Sequence, residues 1–165
     1  MMHIIFENVI NLFQSVVVTV FLMASLGCKD KYNKKCIGII GIVTTFIYLT
    51  VSNHIAYFES VGIYIYMIYS LIFSFWVLGG TIIEKLFYNV MMIGCLAGSA
   101  LLGVGLISLV IKKDFLNAIP FGTASRYVSG ILVQLLLMLF LGFFIKLKKV
   151  LKEKDNKYMF TMSMI

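Results

Sequence analysis

Charge is scarce in this chain. Only 13% of its 165 residues are Asp, Glu, Lys or Arg, against about a quarter in soluble domains. With 61% apolar residues and a mean hydropathy of +1.02, no soluble core of this size could hide the apolar surface, so the solvent is expected to be lipid. Histidine and cysteine are also few. His3 and His54 fall at what is expected to be the outer surface, while Cys28, Cys36 and Cys95 fall inside or in mid-membrane, so no Cys/His pair forms readily. The cysteines are an odd set without CxxC or Cys/His metal spacing, and Cys28 and Cys36 flank a loop expected in the reducing cytoplasm, where no disulfide should form. There is no GxxxxGK[ST] loop, no HExxH and no pair of acids in one aqueous cleft. These gaps argue against an enzyme, a cofactor and a bound metal. The N-terminus MMHIIFENVI has neither a basic n-region nor a cleavage site, so no cleaved signal peptide is expected.

Long apolar runs are abundant. Residues 127–145 hold nineteen positions without a charge, and Gln134 is their one amide. At ~1.5 Å per residue they reach roughly 30 Å, the hydrocarbon thickness of a bilayer. Lys146, Lys148, Lys149, Lys152, Lys154 and Lys157 follow, the mark of a span whose end is held in the cytoplasm. The pattern recurs. It predicts an all-α, polytopic transmembrane helix bundle of about five spans, near 4–26, 36–52, 55–78, 86–111 and 127–145. Residues 1–150 form one membrane domain. Residues 151–165 form a basic cytoplasmic tail or the start of a further segment, because the closing YMFTMSMI is apolar again. Gly79-Gly80 should break the third helix, and TIIEKL reads as a short loop with Glu84 and Lys85. The only proline, Pro120, lies in the longest connection, 112–126. Gly94 and Gly98 make a GxxxG on span four, a seam for packing within the chain or for a homodimer.

Orientation follows from the lysines. Four of them follow span one, Lys85 follows span three and six lie in the tail, against Lys112, Lys113 and Arg126 at the other ends. The N-terminus is therefore expected outside and the C-terminus in the cytoplasm. The net charge of +7 is explained by span ends and anionic headgroups, so nucleic acid is not an expected partner.

Polar residues inside apolar spans are the candidate site. Glu7, Asn11 and Gln14 stand at i, i+4 and i+7, one helical face, which should look toward other helices or a wet cavity unless it is merely interfacial. Spans one, three and five begin on the same side, which brings Glu7, Glu59 and Arg126 to one depth, with Asn8, Asn53 and His54 nearby. The expectation is that Arg126 bridges to Glu59 or to Glu7, flooring an outward-facing pocket lined by the aromatics of span three. The ligand-binding candidates are Glu7, Asn11, His54, Glu59, Tyr64 and Arg126.

Several stretches carry a resemblance. FENVINLFQSVVVTVFLMASLG, a lysine-rich loop, SNHIAYFESVGIYIYMIYSLIF with its Phe58-Glu59 pair, VLGGTIIEKLFYNV, and the close RYVSGILVQLLLMLFLGFF together resemble the N-terminal membrane sensor region of GHKL-type sensor histidine kinases, the relatives of peptide-pheromone receptor kinases. The resemblance implies a receptor domain of a two-component, quorum-sensing type that senses an extracellular peptide or an envelope cue. It also implies cytoplasmic modules that are missing here, since no histidine follows His54, so kinase activity is expected only from further sequence. The alternative is a small-molecule-binding membrane subunit of an energy-coupling factor transporter. A pheromone-maturing peptidase is disfavoured by the missing Cys/His pair, and a membrane scaffold without a ligand is the plainest reading.

Overall fold

TIIE is a capping box. The Thr81 hydroxyl accepts from the Glu84 N–H at 3.3 Å, and the Thr81 N–H donates to Glu84 Oε2 at 2.7 Å. The fourth helix therefore starts at Ile82, not at Leu86, and both Glu84 and Lys85 belong to its first turn rather than to a loop. The computed structural model describes residues 2–54, 58–112 and 123–162, with side chains at 3–53, 62–112 and 123–150. Its helices are α1 (Met2–Leu26), α2 (Lys34–His54), α3 (Phe58–Val77), α4 (Ile82–Ile111) and α5 (Ala124–Met162). Residues 113–122, with Pro120, lie outside the described residues, as do 55–57 and the last three positions.

The molecule is an all-α bundle. α1, α2, α4 and α5 each hold a segment long and apolar enough to cross a membrane, and α3 adds the shorter apolar stretch Gly62–Val77. The outer surface is apolar: Ile39, Leu109, Val110, Leu139 and Phe143 are all more than 60% exposed. Such a surface suits lipid and would aggregate in water. α1 is the most buried of the four long segments. It packs on α2, α4 and α5, while α3 closes the bundle between α2 and α4. α5 does not stop at the lysines. LKKVLKEKDNK holds helix formers and no breaker, so the helix continues through it.

The lysine end of the bundle is tied by its two loops. Gly27 and Gly80 take positive φ (71° and 79°), which lets α1 end in a left-handed turn and the next loop turn into α4. Cys28 and Leu78 then form an antiparallel bridge, and Gly79 N–H donates to Gly27 O at 3.0 Å. Lys29 Nζ reaches across to the carbonyls of Phe75 and Trp76, both at 2.9 Å, and Lys148 donates to the carbonyl of Ser25. Both cations sit where helix C-termini leave unpaired carbonyls and partial negative charge. Lys85 is buried, its ammonium 5.3 Å from the centre of the Phe75 ring.

Inside, one half of the bundle is an apolar cluster that includes Val18, Phe21, Leu22, Leu78, Met92, Leu137 and Leu141. Polar residues are buried as well. Asn89 is fully buried and donates to Ser74 Oγ at 2.9 Å and Lys85 O at 2.7 Å, which links α3 to α4. Helices in lipid gain from such bonds and from close approach of small residues. That approach is not at the GxxxG. A methyl group at Gly94 or Gly98 would meet nothing within 4 Å, because α4 turns Met92, Cys95, Ser99 and Gly103 inward and these two glycines away. The tight crossing on α4 is at Gly103, where an added methyl would lie 2.5 Å from Val133 Cγ2 on α5. The span-three aromatics pack as expected in part: Tyr66 is buried and stacks with Tyr48 of α2, ring centres 5.4 Å apart.

Candidate functional site: a polar cavity between α1 and α5

α1 and α5 run parallel and start at the same end, away from the lysine loops. Their facing residues make two rungs. Arg126 Nε donates to Glu7 Oε1 at 3.0 Å, and Gln134 Nε2 donates to Gln14 Oε1 at 3.1 Å. The spacing from Arg126 to Gln134 is eight, two helical turns, and that from Glu7 to Gln14 is seven, so both pairs keep one face. A third amide pair ties in α2, where Asn53 Nδ2 donates to Asn11 Oδ1 at 3.1 Å. Phe6 seals the crossing. It packs edge-on against Tyr127, centres 4.7 Å apart, and lies where a side chain at Gly130 would sit.

Behind these rungs is a cavity of about 280 Å³. Its polar wall is Glu7, Asn11, Gln14, Asn53, Arg126, Ser129 and Gln134; Phe6, Ile10, Leu49, Ala100, Val104, Gly130 and Val133 supply the remainder. Glu7 and Arg126 are partly exposed, with side chains 19% and 35% accessible, whereas Asn11 and Gln134 are buried. The cavity is thus charged where water reaches it and amide-lined where it does not. Gln134 Oε1 is buried with no hydrogen-bond partner among the described residues. An unmet acceptor of this kind costs roughly 1–3 kcal/mol, and a donor brought by a ligand would recover that. A neighbouring cavity, also about 280 Å³, shares Gln14, Leu49, Ala100 and Val133 and reaches Tyr48, Gly62 and Tyr66.

The structure brings together three of the expected residues: Glu7, Asn11 and Arg126. Of the two acids offered to Arg126, Glu7 is a partner in the described geometry. His54 ends α2 and Glu59 lies in the first turn of α3, but their side chains fall outside the described ones. Tyr64 is not at the site. It is 66% exposed and lines neither cavity, because Tyr66, two residues on and about 200° around the helix, takes the inward direction. Among the described residues no aromatic of α3 lines the pocket, where the aromatics of span three were expected; the side chains of Tyr57 and Phe58 lie outside the described ones. The pocket's described polar lining comes from α1, α2 and α5, and α3 contributes Gly62, Ile63 and Tyr66 to the neighbouring cavity. Gln134 was the residue with the clearest unused signal, a lone amide in an apolar span.

Among the described residues no three His, Cys, Asp or Glu converge to hold a metal ion. Cys28, Cys36 and Cys95 are free thiols, and burial pushes the Cys28 thiol above its ordinary range while nearby Lys34 pulls the other way. The described lining of the cavity holds hydrogen-bond donors, acceptors and an ion pair, groups suited to binding a polar ligand. No family model, no curated protein and no solved structure matches this chain.

Proposed function

We propose that the chain is a membrane-embedded sensory domain of the histidine-kinase receptor type, which takes a small extracellular ligand, such as part of a peptide, into the α1–α5 cavity. The observation that carries this reading is that one unbroken helix, α5, contributes Arg126, Ser129 and Gln134 to the cavity and then runs on to Met162. Its 39 residues extend roughly 58 Å, about twice a hydrocarbon core, so a shift at the cavity could be carried rigidly beyond the membrane. The amide lining favours a ligand with both N–H and C=O groups, since Gln134 Oε1 needs a donor. In this reading the lysine asymmetry sets the cavity end outside, and the α5 end in the cytoplasm.

Two experiments test it. In a cysteine-free background, an impermeant maleimide added outside should label Thr123→Cys and not Tyr32→Cys; the reverse would overturn the orientation. Joined after α5 to a cytoplasmic histidine-kinase module, the chain should change phosphotransfer when spent culture medium is added, and Gln134→Leu should abolish the response. A silent chimaera together with co-purification of an ATPase pair would select the transporter-subunit alternative.

A further inference from the structure

α2 begins against its own dipole. Lys34 and Lys35 occupy its first positions and no acid lies in its first turn, although a helix N-terminus favours negative charge. Both lysines are exposed, and among the described residues neither has a carboxylate within ion-pair distance. Lys31 lies beside them, 5.8 Å from the centre of the Tyr32 ring. Lys29 is different, because its ammonium is already held by the Phe75 and Trp76 carbonyls. Three lysines thus stand within five positions at the start of α2, and Asp30 is the one acid in the loop that leads into it.

Directly along α2 from this cluster runs a groove between α2 and α3, with a volume of about 400 Å³. Cys36, Ile40, Ile72, Phe73 and Trp76 make its apolar walls. It reaches from Asn33 to Thr44, whose hydroxyl is hydrogen-bonded to Tyr69 OH. Eleven helical steps make it roughly 16 Å long, the depth of one leaflet of a ~30 Å hydrocarbon core. An apolar slot one leaflet deep, ending at Tyr32 and Asn33 in the lysine-rich stretch, complements an anionic phospholipid in shape and charge.

We infer that the α2–α3 groove is a binding site for an anionic phospholipid, one acyl chain lying against Ile40, Ile72 and Trp76 and the phosphate held by Lys34 and Lys35 at the start of α2. The lipid supplies the negative charge that the α2 terminus lacks. The site is separate from the α1–α5 cavity and does not depend on what that cavity binds.

Trp76 is the only tryptophan in the chain, and it lines the groove, so its fluorescence reports occupancy. The full chain is reconstituted in phosphatidylcholine vesicles in which one lipid in five is brominated on its acyl chains, as phosphatidylglycerol or as phosphatidylcholine. Brominated phosphatidylglycerol should quench Trp76 several-fold more strongly. Raising the salt concentration on the unaltered chain should erase that preference. The double variant Lys34→Gln/Lys35→Gln should erase it too, at roughly fivefold in relative affinity per lysine. Lys146→Gln/Lys149→Gln, at the same end but on α5, should keep it. Equal quenching by the two lipids, a preference that survives high salt or the Lys34/Lys35 change, or a preference lost equally with Lys146/Lys149 would each overturn the site. So would competition by inorganic phosphate, which would mark a free-anion site instead of a lipid site.

Discussion

Reversing the charge of Arg126 tests the bond that closes the α1–α5 cavity. At the observed 3.0 Å separation from Glu7, two opposite unit charges attract by about 5–6 kcal/mol at an effective dielectric constant near 20. Both side chains are partly accessible, so water screens much of this, and the net worth of the pair is about 1 kcal/mol. Arg126→Glu exchanges that attraction for a repulsion that the chains relieve only by swinging apart, which opens Phe6 and Tyr127 as well. The expected loss is about 2–3 kcal/mol, read as a lower midpoint for loss of helical circular dichroism on heating in detergent. Glu7→Arg in the same chain restores the opposite signs across the same rung and should recover at least half of the loss. A double variant Glu7→Arg/Arg126→Glu no more stable than Arg126→Glu alone, with a coupling below about 0.5 kcal/mol, would refute the pair as a structural tie.

Gly103→Ala should destabilise the bundle by about 1–3 kcal/mol in the same melt, because its methyl would lie 2.5 Å from Val133 Cγ2. Gly94→Ala and Gly98→Ala should be neutral in that assay, and loss of cross-linked dimers on Gly98→Leu without loss of stability would mark their face as a homodimer seam. Lys148→Met removes the cation on the Ser25 carbonyl and over the Tyr88 ring, and should cost about 1–2 kcal/mol, whereas Lys149→Met, one position on and exposed, should cost under about 0.5 kcal/mol. Since burial holds the Cys28 thiol above its ordinary range, its thiolate fraction at neutral pH is low; maleimide should modify Cys28 slowly in the folded chain and faster on denaturation, and should gain rate as pH rises.

How much of this was legible in advance differs from residue to residue. Glu7, Asn11 and Gln14 share a face by helical geometry alone, so their joint direction could be read from their spacing. Equal depth for Glu7 and Arg126 followed from counting crossings. Their actual contact did not, since it depends on α1 and α5 being neighbours, and nothing in either segment encodes a partner 119 positions away. The same holds for the Gln14–Gln134 and Asn11–Asn53 rungs. Gly94 and Gly98 match a packing motif, yet the motif cannot say which way α4 is rotated, and the bundle uses Gly103 in their place.

Hydropathy and the placement of charge determined that this chain is an all-α bundle of helices apolar enough to cross a membrane, because the cost of exposing apolar side chains to water, or charges to lipid, is local and additive along the chain. The sequence also held the Thr81–Glu84 capping box, a purely local signal, in a stretch that otherwise reads as a loop. Tertiary structure alone decided which polar residues meet, that Tyr66 and not Tyr64 points inward, that Lys29 and Lys148 cap the ends of other helices, and that α2 and α3 leave a groove between them. Each of these depends on the rotation and order of helices about the bundle axis. That choice rests on small differences in packing and hydrogen bonding summed over every interface, which no single segment contains.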